Sequence, residues 1–375
     1  MKKLKIITIV GTRPEIIRLS RVVTKLDLYM EHIMVHTGQN YDYELNEIFY
    51  RDLEIRQPDY FLNANGNSAT ETISNIIASV DKLLDKENPD AVLVLGDTNS
   101  CLSTIPAKRK KIPIFHMEAG NRCFDYRVPE EINRKIVDHI SDLNMPYSNI
   151  SRENLIREGF PTDQIVKTGS PMYEVLKFYE SKIYSSEILE VLDLKPNQYF
   201  LISSHREENI DNPSNLAKLL STIENLYNKF KLPIVISTHP RTRQKIEKLN
   251  KKTNPEILFH KPFSFTDYNF LQLNSKAVLS DSGTINEESS ILNFRALNIR
   301  DAFERQEAME EASVMMVGLD WKEIESALLI LESQPSGDNR LLKLVEDYSI
   351  DNVSDKVVRI IQSYIHFINK KVWKK

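Results

Sequence analysis

Leu4-Lys5-Ile6-Ile7-Thr8-Ile9-Val10-Gly11-Thr12-Arg13-Pro14-Glu15 sets a short β-branched run against a glycine, an arginine and a proline. The run reads as a buried strand, the glycine as a tight turn, and the proline as the start of a helix whose N-terminus favours negative charge. Arg13, standing in that turn, can meet an oxyanion. The segment is neither the Gly-x-Gly-x-x-Gly dinucleotide fingerprint nor a Gly-x-x-x-x-Gly-Lys phosphate loop. It is also too short, and meets Arg13 and Glu15 too soon, to be the apolar region of a signal peptide.

Outward from this unit the pattern repeats. Strand-like runs at Leu4–Val10, His32–His36, Ala91–Leu95, Ile112–Met117 and Leu143–Tyr147 alternate with helical patterns in the first half. Tyr199–Ser204, Ile234–Thr238, Ile257–Phe259, Ala277–Ser280 and Ala296–Ile299 do so in the second, separated by helix-length stretches such as Pro213–Lys229 and Pro240–Asn250. That order predicts an α/β protein of two doubly wound Rossmann-like domains, each a parallel sheet covered on both faces. We place the domains at residues 1–190 and 191–350, joined through the charged helical stretch Pro171–Pro196. Residues 351–375 form a C-terminal helix packing back across the domains, with the apolar stripe Val353, Val357, Ile360, Ile361, Tyr364, Ile365 and Ile368.

The bulk properties narrow the function. A chain of 375 residues exceeds the ~150-residue domain norm, and its 41% apolar content supplies a core for each domain. With 49 Lys+Arg against 53 Asp+Glu, the net charge of −4 offers no basic field for nucleic acid or membrane. A small anion held by local arginines remains compatible with that balance. Cys101 and Cys123 match no disulfide framework or zinc spacing, and no apolar stretch nears the ~20 residues that cross a bilayer, so a soluble, cytoplasmic protein is expected.

In open α/β sheets ligands bind beyond the C-terminal ends of the strands, so the residues after each run are the candidates. Asp97 in Gly96-Asp97-Thr98 and Glu118 in Glu118-Ala119-Gly120 each close a strand, and Glu130, Glu131 and Arg134 follow Pro129 at a helix start. Any one carboxylate could be a helix cap. Several converging on one site cost stability unless they move protons or meet cations, which points to acid/base work. In the second half, Ser204-His205-Arg206-Glu207 offers an imidazole and a guanidinium able to bind a phosphate or protonate a leaving oxygen. No Pro-Cys-x-x-Cys accompanies this His-x-Glu, so no metal is expected. Asp281-Ser282-Gly283-Thr284 opens a helix at Ile285, presenting amides to an anion, while a carboxylate such as Glu287 or Glu288 can hold ribose hydroxyls.

Taken in order, Gly-Thr-Arg-Pro-Glu at 11–15, Gly-Asp-Thr at 96–98, Glu-Ala-Gly at 118–120, Pro-Glu-Glu-Ile-Asn-Arg at 129–134, Ser-His-Arg-Glu at 204–207 and Asp-Ser-Gly-Thr-Ile-Asn-Glu-Glu at 281–288 resemble the non-hydrolysing UDP-N-acetylglucosamine 2-epimerase family. The extended motifs His116–Asp125, Ser203–Asn209, Ser237–Arg243 and Ile285–Leu292 look more like its branch making UDP-N-acetyl-L-fucosamine from UDP-2-acetamido-2,6-dideoxy-L-talose, a capsule or O-antigen precursor. The chain departs from that branch at Phe294-Arg295, Phe303 and Gln306. Gly38-Gln39-Asn40 stands where many relatives carry Gly-Gln-His for a regulatory substrate molecule, so that regulation is not carried over.

The resemblance implies a GT-B-like fold with the active site in the interdomain cleft, a UDP-sugar substrate, a homodimer and no cofactor. Carried over by motif, Asp97, Glu118, Glu130 and His205 would be catalytic. Arg13, Arg18, which stands where many relatives have lysine, and His205 would meet the diphosphate, with Ser282, Gly283 and Thr284 as turn donors and Glu288 on the ribose. Tyr268, also readable as core, and Arg305 complete the UDP set. The C2 proton of an N-acetylhexosamine is only feebly acidic, so departure of UDP must assist its removal by Asp97 or Glu130, giving a glycal. Rival readings are the UDP-N-acetylglucosamine/UDP-N-acetylmannosamine epimerase, a hydrolysing epimerase, a GT-B glycosyltransferase and a nucleotide-sugar sensor without turnover.

Overall fold

The computed structural model describes residues 3–39, 43–204, 209, 212–237, 254–300 and 304–375. The chain divides into two compact units, Met1–Phe178 with Glu346–Lys375, and Tyr179–Val345. The sequence places the joins near residues 190 and 350, whereas the observed divisions fall after Phe178 and after Val345. Both borders of the observed division fall outside the strands, the first between the short helices Met172–Phe178 and Glu180–Tyr184.

The first unit carries strands β1 (Lys5–Val10), β2 (Glu31–His36), β3 (Tyr60–Phe61), β4 (Ala91–Leu95), β5 (Ile114–Met117) and β6 (Leu143–Met145). They pair in parallel in the order β3-β2-β1-β4-β5-β6. All of β4, and β1 from Ile6 onward, is buried, as required when helices cover both faces of a sheet. Pro14 and a Thr12–Glu15 capping box start the helix Arg13–Tyr29, which buries Ile16, Leu19, Val22, Val23 and Leu26. The C-terminal helix Val353–Lys371 lies against it. Its stripe Val353, Val357, Ile361, Ile365 and Ile368 is buried, roughly 1.5–3 kcal/mol for each side chain.

The second unit holds β7 (Phe200–Ser203), β8 (Ile234–Ser237), β9 (Ile257–His260), β10 (Ala277–Ser280), β11 (Ala296–Asn298) and β12 (Met315–Met316), parallel in the order β12-β11-β10-β7-β8-β9. One apolar cluster lies under the helix Pro213–Phe230, and a second forms around Tyr199, Phe263, Leu271 and Ile285. The doubly wound α/β expectation therefore holds in both units. Strand order reverses between β1 and β4 and between β7 and β10, so each sheet has one switch point where its loops diverge and leave room for a ligand. The two-residue edge strands β3 and β12 were not expected, and the expected helix Pro240–Asn250 lies outside the described residues.

Candidate active site

In the first unit Arg13, Arg18, Asp97 and Glu118 lie on or beside the turns that follow β1, β4 and β5. Glu15, 1% exposed, accepts hydrogen bonds from the Gly11 and Thr12 amides at 2.8 and 2.6 Å and from the Thr12 hydroxyl at 2.9 Å. Its other oxygen takes the Thr98 hydroxyl at 2.8 Å, so one carboxylate ties the Arg13 turn to the Asp97 turn. Burial pushes the Glu15 carboxyl above its ordinary range despite these four donors. Arg13 is half-buried, its guanidinium 5.7 Å from the centre of the Phe49 ring.

Two cations meet two of the expected acids. Arg18 Nη1 lies 3.5 Å from Glu118 Oε2, both side chains under a tenth exposed. Arg134 Nη2 lies 2.7 Å from Asp97 Oδ2, and its Nη1 lies 3.1 Å from Glu131. The two turns are close at the backbone: a Cβ built on Gly96 would stand 4.0 Å from the Glu118 carboxyl, and Asp97 is the next residue. Gly96 takes φ +80°, Gly120 takes +81°, and Glu118, which is not glycine, takes +65°. Asn133 further fixes the turn, donating to the Asp97 carbonyl at 3.0 Å. Glu130 sits half-buried in the first turn of the helix Pro129–Ile140, where the helix dipole favours a carboxylate.

In the second unit the loops after β7 and β10 carry residues expected to meet an anion. Asp281, fully buried, accepts from the Ser204 hydroxyl at 2.8 Å and from Asn209 at 3.1 Å, which joins the two loops. Ser282, Gly283 and Thr284 are only half-buried, and a Cβ on Gly283 would meet nothing within 4 Å, so this turn is open to an approaching group. Thr284 then precedes the helix Ile285–Leu292. Glu288, 5% exposed, is oriented by a 2.8 Å hydrogen bond from Gln272 Nε2. Tyr268 is half-buried, its hydroxyl within reach of Ser203 and Ser280, and burial together with Glu288 raises its pKa.

Arg305 is buried, with Nη2 3.6 Å from Glu287 Oε2. The expected phosphate ligand is therefore held from behind by an acid that the sequence could not single out from its neighbour Glu288. His205 lies outside the described residues, as do Phe303 and Asn40. Two contributors escaped the sequence reading: Arg134 as the partner of Asp97, and Gln272 as the partner of Glu288. The i,i+3 spacing of Glu131 and Arg134 was the only signal for the first. Among the described residues no group of three His, Cys, Asp or Glu could hold a metal ion, and no helix is long and apolar enough to cross a membrane.

A family model described as UDP-N-acetylglucosamine 2-epimerase matches residues 24–362. The solved structure of UDP-N-acetylglucosamine 2-epimerase from Rickettsia bellii is 48% identical, with a TM-score of 0.93 and each chain covering 100% of the other. The crystal structure of Methanocaldococcus jannaschii UDP-GlcNAc 2-epimerase in complex with UDP-GlcNAc and UDP is 31% identical, with a TM-score of 0.89 over 96% of this chain and 99% of that one. A Pseudomonas aeruginosa protein, UDP-2,3-diacetamido-2,3-dideoxy-D-glucuronate 2-epimerase, is 33% identical over 84% of this chain and 88% of its own. The fold is accordingly α/β of the GT-B-like kind.

Proposed function

This chain belongs to the UDP-N-acetylglucosamine 2-epimerase family and is an isomerase of the nucleotide-sugar epimerase type, and from that premise we propose that it inverts C2 of a UDP-N-acetylhexosamine by eliminating and re-adding UDP. The observation that carries this reading is the pairing of two acids with two buried arginines, Asp97 with Arg134 and Glu118 with Arg18, around the close backbone of Gly96. A set of this kind suits proton transfer beside an anionic leaving group better than it suits a static fold.

A carboxylate, Asp97 or Glu130, takes the C2 proton. The C–H electron pair becomes the C1=C2 double bond of a 2-acetamidoglycal, and the C1–O pair leaves with UDP. Arg13 and Arg18 stabilise the growing diphosphate charge, the Ser282–Thr284 turn offers it donors, and Glu288 holds the ribose. A second acid of the set, Glu118 among the candidates, then delivers a proton to the opposite face of C2 as the diphosphate oxygen returns to C1. Atoms and electrons balance without an added oxidant, and each turnover exposes C2 to solvent hydrogen.

UDP-N-acetylglucosamine is the substrate that most similar proteins carry in their names. The motifs at His116–Asp125 and Ser203–Asn209 favour a finer reading, conversion of UDP-2-acetamido-2,6-dideoxy-L-talose to UDP-N-acetyl-L-fucosamine for capsule or O-antigen synthesis; the family resemblance adds a homodimer and the cysteine usage a cytoplasmic setting. The name of the Pseudomonas aeruginosa relative supports the idea that the sugar varies within the family. The test incubates the purified protein with each UDP-sugar in deuterated water and follows C2 by proton NMR, with light scattering for the dimer. Deuterium entering C2 with inversion is expected, fastest for the L-talo sugar. Free amino sugar would point to hydrolysis instead, and binding without exchange would reduce the protein to a sensor.

A further inference from the structure

Beside the paired acids, and outside the roles given above, lies a buried charged cluster centred on His116, the third residue of β5 and 0% exposed. One ring nitrogen is hydrogen-bonded and the other lies at ion-pair distance from a carboxylate. Nε2 is 2.8 Å from the Gly96 carbonyl oxygen, and Nδ1 is 2.9 Å from Asp138 Oδ1. A neutral imidazole has one N–H and one lone pair, so it leaves one of these acceptors facing a lone pair unless Asp138 itself carries the proton. Arg122 opposes that alternative. Its Nη1 lies 2.8 Å from Asp138 Oδ2, its side chain is fully buried, and its Nη2 reaches Glu158 at 2.6 Å. Neutralising Asp138 would strip this cation of its buried partner.

We propose that His116 is held as an imidazolium, its Nε2–H bonded to the Gly96 carbonyl and its charge paired with Asp138, so that it ties the Asp97 turn to the helix Pro129–Ile140 and acts as a positioning residue for proton transfer at C2. The transfer itself rests on the epimerase reading above. Gly96 is fastened at both of its polar groups: its amide donates to the Met117 carbonyl at 3.0 Å and its carbonyl accepts from His116. Asp97 follows directly. The same Asp138 accepts the Gly120 amide at 3.2 Å, two residues beyond Glu118, while Arg122 Nη1 donates to the Asn121 carbonyl at 2.6 Å. One cluster therefore sets the positions of both acid-bearing turns.

The charged groups around the ring are Asp138 from the helix, Asp97 from the β4 turn, and Arg122 with Glu158 behind Asp138. The neighbouring strand offers Asn144, whose amide donates to the Asp138 backbone carbonyl at 3.1 Å. Burial works against the charged ring, but Asp138 and the Gly96 carbonyl outweigh it and raise the His116 pKa. Asp138 is pushed up by burial and pulled below its ordinary range by His116 and Arg122, which agrees with a carboxylate facing an imidazolium.

The test has two parts. Nitrogen-15 NMR of the full chain, assigned through His116→Gln, is expected to show both ring nitrogens still protonated at pH values above the ordinary histidine pKa of ~6.5. A single N–H there overturns the charge state. In steady-state kinetics, His116→Phe is expected to lower kcat about 30-fold while KM for the UDP-sugar stays within about threefold, because the Asp97 turn is misplaced and the substrate contacts are not. His116→Gln, whose amide can reach the Gly96 carbonyl, is expected to recover most of that kcat. A purely structural role would lower thermal stability without separating kcat from KM. Wild-type kcat in both folded variants, or equal loss in the two, overturns the positioning role. Should His116→Phe fail to fold, His116→Gln and the ring spectrum decide. A wild-type protein that never exchanges C2 hydrogen would instead sink the epimerase reading and the positioning role with it, while the ring readout stands on its own.

Discussion

Replacing Arg134 with methionine removes the cation but keeps a long side chain in its place, so the packing change is small and the electrostatic one is large. Two acids lose this cation: Asp97, 2.7 Å away and 17% exposed, and Glu131, 3.1 Å away and fully buried. Breaking a buried ion pair by deleting one member costs about 3–5 kcal/mol, because the other charge stays behind in a poor solvent. Here the lower end applies. Asp97 has some access to water, and Glu131 keeps the Cys123 amide at 3.0 Å and Lys135 Nζ at 3.9 Å. A loss of about 3 kcal/mol, in a unit of this size, lowers its melting midpoint by roughly 6–12 °C. Differential scanning calorimetry should show that shift. Adding Glu131→Gln removes the stranded acid, so the double variant is expected to regain about 1–2 kcal/mol over Arg134→Met alone. Deuterium wash-in at C2 should slow about 100-fold in both, since Asp97 is no longer anchored. A shift below about 2 °C, or a double variant less stable than the single one, would refute the reasoning.

Asp97→Asn should abolish C2 hydrogen exchange while leaving UDP binding measurable by calorimetry; retained exchange removes Asp97 from the proton transfer. Gly120→Ala combines a φ of +81° with a Cβ only 2.2 Å from the Ser151 carbonyl oxygen, so backbone must move and little soluble protein is expected. A well-folded alanine variant would show that loop to be softer than its contacts imply. The His116–Asp138 pair gives the first unit a pH window. Asp138 has a lowered pKa, so its contribution is present above about pH 4 and fades as pH falls through the lowered value. His116 has a raised pKa, so its contribution is complete below about pH 6.5 and fades as pH climbs through the raised value. The melting difference between wild type and His116→Phe should therefore shrink in alkali, and a difference that ignores pH would contradict the charge assignment.

The central strands were readable because runs such as Ile6–Val10 and Ala91–Leu95 must be apolar on both faces, a demand that leaves a local mark. One edge of each sheet was not: Tyr60–Phe61 and Met315–Met316 are two residues each, shorter than any periodic signal, whereas the opposite edges β6 and β9 were readable. The strand-tip residues Arg13, Asp97, Glu118 and Ser282 were found by the same logic that found the strands, since a parallel sheet puts its ligand-facing loops at one end. Who pairs with whom was hidden. Arg134 reaches Asp97 across 37 positions of chain, and His116 meets Asp138 only after β5 docks under the helix Pro129–Ile140. Such contacts are set by packing between elements, and nothing in the neighbouring residues announces them.

That distinction bears on how far these acids are built for chemistry. A helix cap needs one carboxylate near exposed amides; Glu118 is instead placed at φ +65°, where a residue with a side chain sits at a cost of about 1–2 kcal/mol. Its amide is used, donating to the Met145 carbonyl at 3.1 Å, so the turn is enforced by the sheet rather than tolerated at a loose end. Asp97 follows the close-approaching Gly96 in the next turn, and each of the two acids is met by its own arginine, Glu118 by Arg18 and Asp97 by Arg134. A fold seeking only stability would relax the turn and drop the acids. Keeping the strain, the like charges and the two buried arginines together makes sense if the gain comes when a diphosphate draws on the cations and a sugar proton on the acids, with His116 and Asp138 holding the turns still while that happens.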